Sequence, residues 1–362
     1  SSPLISVTPV GPVVSQLTAD QMLKLSQSLA KSPSVAQHFK WMSGVYLAFF
    51  IIAAIFTIAT IVICIKMLLD VFWKVSDEYI QVDLYWLLST PAVVSSLCML
   101  GIIFPRSSGI LYSIGLATVV MALATTCTLL RRLYGGREAF SQYLLTRRRS
   151  IELATKPFCC CCICLPSVIP TTRNIRLLSL LVDQTPFVRI SIAIALIIIS
   201  LEGSPLDSPE TQTSIHWVVT TLNALGVVST LTAVYAAQVL IRLGEEDFGP
   251  SGFDIVFKCT NTAQLLYTVQ RFVLEMLGRN GVFSPMPPMQ PENISSFWFN
   301  VGMISWYLII ALILAVRIRP GRSTFFAAGA GKLHSTFSTI STEAELKRIA
   351  ISNDLIFSDR RQ

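Results

Sequence analysis

The chain reads as an all-α integral membrane protein with seven transmembrane helices, its amino terminus outside and its carboxyl terminus cytosolic. Three observations carry this. Hydrophobic residues make up 52% of the 362 positions and charged residues 14%, whereas roughly a quarter of a soluble globular chain is charged. Apolar stretches long enough to span a ~30 Å hydrocarbon core recur at about 45–68, 84–104, 109–131, 178–201, 215–241, 254–277 and 297–317. The third connection holds Arg131, Arg132, Arg137, Arg147, Arg148, Arg149, Lys156, Arg173 and Arg176, while the fourth, from Glu202 to Thr213, holds three acids and no Lys or Arg. Short basic loops stay in the cytosol, so the third connection is expected there.

Residues 1–40 form a polar extracellular segment, interrupted by Pro3, Pro9, Pro12 and Pro33, with one short helix expected around Asp20 to Ala30. The opening Ser1-Ser2-Pro3 has no initiator Met, so a trimmed terminus is expected, and no signal peptide is read. The transmembrane domain covers 41–319. Pro105-Arg106-Ser107-Ser108 is the tightest linker and turns the second span back into the third as a helical hairpin. A Cys-rich cytosolic loop occupies 132–177. The sequon Asn293-Ile294-Ser295 falls in the sixth connection, which this topology puts outside, and makes Asn293 a glycosylation candidate. Arg317, Arg319 and Arg322 mark the cytosolic end of the last span, and 320–362 is a polar tail.

The net charge of +7 does not point to nucleic acid, because the basic residues flank apolar segments, where they set topology and meet anionic lipid heads. No cofactor or metal is expected. The three His are widely separated, which also leaves hydrolytic or transferase chemistry without a base near a nucleophile. Cys64, Cys98, Cys127 and Cys259 lie inside apolar segments, so no disulfide framework is expected.

Polar side chains at membrane depth are the default markers of a conduit. In the sixth span Asp254, Asn261, Gln264, Thr268, Arg271 and Glu275 recur at spacings of seven, three, four, three and four, which lines one face of a helix. A substrate pathway and interhelical hydrogen-bond glue both explain such a stripe. In the second span Ser89-Thr90-Pro91, followed by Ser95, interrupts the backbone ladder, which is either a satisfied bend or a place for ligand contacts. The fifth span carries Asn223, Gly226, Thr230, Ala233 and Ala237 as a stripe suited to close packing or to a cavity wall. The candidate pathway is therefore Ser89, Thr90, Ser95, Asn223, Asn261, Gln264, Thr268, Arg271 and Glu275. Arg189, at the start of the fourth span, is expected to snorkel to the headgroups.

The run Cys159-Cys160-Cys161-Cys162-Ile163-Cys164 lies in the most basic loop. Consecutive cysteines without a histidine fit a tetrahedral zinc site poorly. Thiolates beside Arg147, Arg148, Arg149 and Lys156 at a membrane surface suit S-acylation.

Several segments then read together: Ser89-Thr90-Pro91-Ala92-Val93-Val94-Ser95, Phe104-Pro105-Arg106-Ser107, Gly135-Gly136-Arg137-Glu138-Ala139, the cysteine run, and Leu243-Gly244-Glu245 followed by Gly249. In this order, over residues 40 to 320, the chain resembles the alpha subunit of the organic solute transporter, or an invertebrate-type alpha-like relative. The resemblance implies a heptahelical protein of the plasma membrane that works with a single-span beta subunit. It implies facilitated diffusion of bile acids, conjugated steroids and similar amphipathic anions, without ATP or a sodium gradient. Membrane lipids and a higher oligomer complete the expected partners. The competing expectation is a heptahelical receptor or signalling scaffold. Against it, the third span ends in Arg131-Arg132-Leu133-Tyr134 and not in an acid-Arg-aromatic triplet.

Overall fold

The computed structural model describes residues 35–42, 44–75, 77–147, 150–153, 167–202, 209–243, 252–279, 282, 291–320 and 323–326. The cysteine run, the amino-terminal segment, the Glu245-Glu246-Asp247 loop and the tail beyond 326 lie outside them. The helices are α1 (Val35–Trp41), α2 (Val45–Lys74), α3 (Glu78–Ile103), α4 (Ser108–Leu133), α5 (Arg137–Thr146), α6 (Thr172–Glu202), α7 (Pro209–Arg242), α8 (Phe253–Arg279) and α9 (Pro291–Arg317). Six of them, α2, α3, α4, α6, α7 and α9, are long and apolar enough to cross a membrane. This is a multi-pass membrane protein. The remaining stretch, α8, the sixth of the seven expected spans, has 27 residues, as many as α9, but its polar stripe lowers its hydropathy below that of the others.

The helix ends follow local chemistry. Asp77 caps α3 by accepting from the backbone N–H groups of Tyr79 at 3.0 Å and Ile80 at 3.3 Å, which satisfies donors that the first turn leaves open. Pro105–Ser107 forms the 3-10 turn into α4, as the proline hairpin predicts. Gly135 and Gly136, at φ 81° and 115°, end α4 by returning their N–H groups to Arg132 and Arg131 carbonyls. That left-handed backbone favours glycine. Helix α3 runs unbroken through Pro91. Ser89 and Thr90 both donate to the Trp86 carbonyl, at 3.1 and 2.8 Å, so the hydroxyls bond back along their own helix.

Helix α4 is the hub. It packs on α3, α6, α7 and α8; α9 packs on α2, α3 and α8; and α6 pairs with α7. Among the described residues α7 and α8 do not pack closely on each other, so they stand as separate walls on either side of α4. Helix α2 is the most lipid-facing member, with Ile51, Ile55, Ile58, Val62 and Leu69 exposed along its length.

One end of the bundle is built from charge pairs. Arg131 donates to both Asp183 carboxylate oxygens, at 3.1 and 3.3 Å, and to Thr128 at 2.8 Å. Arg137 stands 3.7 Å from the same carboxylate. Arg132 sits 2.8 Å from the buried Asp83, donates to the Tyr79 carbonyl and covers the Tyr79 ring. The neck of the Cys-rich loop is closed at this basic end. Ile151 and Val168 exchange backbone hydrogen bonds at 2.8 and 2.9 Å, and Tyr235 of α7 donates to the Leu153 carbonyl at 2.8 Å.

Candidate functional site

The stripe on α8 keeps its helical register, and its polar groups meet different fates. Thr268 donates back to the Gln264 carbonyl at 2.9 Å. Gln264 is 1% exposed and neither amide atom has a partner; the Asn261 carbonyl oxygen is likewise buried and unpaired. Leaving a buried polar group unsatisfied costs about 1–3 kcal/mol, so interhelical glue does not account for these two side chains. Near the far end, Arg271 pairs with Glu275 at 2.6 Å and donates to Ser296 Oγ at 2.8 Å. Its guanidinium covers the rings of Tyr112 at 4.9 Å and Phe299 at 5.6 Å, an arrangement that favours a cation. Below it, Tyr267 stacks on Tyr112 and donates to its carbonyl at 3.1 Å. Gly115 makes room for that hydroxyl, since a Cβ there would collide with it.

The other candidates divide. Ser95 is fully buried with an unpaired hydroxyl, but it stands on α3, which among the described residues does not pack closely on α8. Ser89 instead lines an apolar groove of about 460 Å³ between α2 and α3 with Leu68, Phe72 and Trp86. Asn223 is exposed on α7, whereas Gly226, Thr230, Ala233 and Ala237 of the same stripe are buried. A second groove, of about 770 Å³, opens between α8 and α9 and is lined by Leu266, Val269, Gln270, Val273, Trp298 and Trp306. These α8 residues lie on the opposite side of the helix from Gln264 and Thr268. Its size suits a small ligand. Asn293 lies in the first turn of α9, and its amide nitrogen is buried without a partner.

Arg189 differs from its expected place. It does not snorkel: it is 8% exposed, and its Nε donates to Thr230 Oγ1 of α7 at 2.8 Å. Tyr112 is within electrostatic reach of both Arg189 and Arg271, so the two arginines stand on opposite walls above α4. An arginine near the membrane centre costs about 2.5–3.5 kcal/mol on insertion scales.

The family model described as Organic solute transporter Ostalpha matches residues 49–316. The chain belongs to the organic solute transporter alpha family. Organic solute transporter alpha-like protein 1 of Caenorhabditis elegans is 29% identical over 253 residues, 70% of this chain and 64% of that protein. The chain thus spans slightly under two thirds of that relative. Alpha-like protein 2 of the same organism is 22% identical over 325 residues, covering 89% of this chain and 92% of its own. Organic solute transporter subunit alpha of Bos taurus is 25% identical over 292 residues, 76% of this chain and 82% of its own. No solved structure matches.

The sequence reading of this family member missed Tyr112, Tyr267, Phe299 and Gln270. Tyrosine and phenylalanine in an apolar span carry no periodic signal apart from the core. Gln270 stood outside the stripe because it faces α9, where it donates to the Phe299 carbonyl at 3.4 Å.

Proposed function

We propose that this chain is a facilitative, ATP- and sodium-independent carrier of amphipathic organic anions, such as conjugated steroids or bile acids. It acts as the alpha subunit of a heteromer with a single-span beta-type subunit at the plasma membrane. The observation that carries the reading is Gln264: a buried amide with both ends unpaired, on the same helical face as Asn261, Thr268 and the ring-seated Arg271. Buried donors and acceptors held open in a membrane domain suit a cargo that supplies partners in transit. With α8 counted as a span, the chain crosses seven times, with the Arg131–Asp183 end cytosolic and the amino terminus outside. The Cys159–Cys162 and Cys164 thiols are acylation sites that hold their loop to the inner leaflet.

The test is uptake of labelled steroid sulfate and taurocholate into cells expressing the chain alone and with a candidate beta subunit, with surface abundance measured in parallel. Saturable flux that needs the partner and survives sodium removal and ATP depletion is the expected result. Absence of flux despite surface assembly would refute it and favour a receptor or scaffold, which ligand-dependent nucleotide exchange would reveal.

A further inference from the structure

We propose that Arg189 receives the anionic head of the cargo near the middle of the membrane and sets the preference for anions. This rests on the transport reading above and assigns the charge to a residue outside the α8 stripe. Depth comes first. Thr230, which Arg189 contacts, lies midway along the Trp217–Arg242 span, and Arg189 stands about two turns deeper along α6 than Asp183, the partner of Arg131. Lipid phosphates lie outside a hydrocarbon core ~30 Å thick, so an anion meeting Arg189 there is one in transit.

The guanidinium is positioned but not neutralised. Thr230 Oγ1 accepts from Arg189 Nε and donates to the Gly226 carbonyl at 2.9 Å, which fixes the hydroxyl's direction. The terminal nitrogens of Arg189 have no hydrogen-bond acceptor and no acid among the described residues. Arg131, the other buried arginine described, is answered by Asp183, and Arg271 by Glu275. Gly226 provides the space: a Cβ there would stand 2.6 Å from Arg189 Nη1. A planar fork with free N–H groups matches a carboxylate, sulfate or sulfonate through paired hydrogen bonds. Arg271, across α4 and within reach of the same Tyr112, is the preceding station from the far end.

The experiment compares wild type, R189Q, R189K and G226A in cells with the candidate beta subunit, using labelled steroid sulfate, and the purified full chain by thermal unfolding with and without that compound. R189Q is expected to raise KM at least tenfold and to lose the cargo-induced rise in Tm. Its Tm without cargo should equal or exceed wild type, because an unanswered charge has gone. R189K should fall between the two, and G226A should raise KM with the charge retained. An active wild type whose KM and cargo-induced shift survive R189Q overturns the assignment alone. So does R189Q that lowers the cargo-free Tm with KM unchanged, which marks a structural pin. A wild type with neither flux nor an anion-induced shift overturns the transport reading and this one together.

Discussion

At the residue scale, two buried groups point in opposite directions energetically. Asp83 is 5% exposed and its answering charge is Arg132, 2.8 Å away. Removing the arginine leaves a buried carboxylate. R132M is therefore expected to cost about 1–3 kcal/mol, less than for a fully buried pair because Arg132 is partly exposed. Adding D83N should recover much of that loss in thermal unfolding. Gln264 behaves otherwise: its amide has no partner to lose, so Q264L should leave Tm unchanged or raised while abolishing flux. A fall in both would place Gln264 among structural contacts. His38 supplies a pH dependence. Burial holds its pKa below the ordinary 6.5, so the unfolded chain takes up a proton first as pH falls. Stability from this group is complete above about pH 6.5 and is lost as pH drops from there towards the lowered folded value. H38Q should flatten the difference in Tm between pH 7.5 and 5.5.

At the scale of elements, six of the apolar spans and the proline hairpin were legible because each follows from a one-dimensional signal: length for the spans, a missing donor for the hairpin. The stripe on α8 was legible too, since its period is helical. What escaped was direction. Asn223 belongs by spacing to a row with Gly226 and Thr230, yet it is exposed, because packing against α6 decides which part of a face is covered. Ser89 faces the α2–α3 groove for the same reason. Arg189 was misplaced because snorkelling and inward burial look identical until the neighbour is known, and the neighbour is Thr230, 41 positions away. Packing of α4 on α8 also gives a measurable link. G115A brings a methyl against the Tyr267 hydroxyl and should cost about 1–3 kcal/mol through overpacking. The Y267F change in the same background should restore most of it, since the colliding atom is gone.

At the scale of the whole molecule, α4 is a shared floor, and the walls made by α6–α7 and by α8–α9 reach each other mainly through it. The Cys-rich loop is tied to the basic end at its neck by the Ile151–Val168 bridge and by Tyr235. Hydroxylamine-sensitive labelling with a fatty-acid analogue should therefore appear on the intact chain and vanish when Cys159–Cys162 and Cys164 become Ser. Labelling that persists would put the lipid elsewhere.

The paired arginines at the end of α4 also impose an order on assembly. Arg132 is answered by Asp83 in α3, which precedes it in the chain, but Arg131 is answered by Asp183 in α6, made some fifty residues later. Chains emerge amino terminus first. A nascent chain that has released only α4 thus carries one guanidinium already neutralised and one still waiting, and the emergence of α6 closes the account for the second. Insertion intermediates truncated before Asp183 should accordingly be held by membrane chaperones longer than those truncated after it.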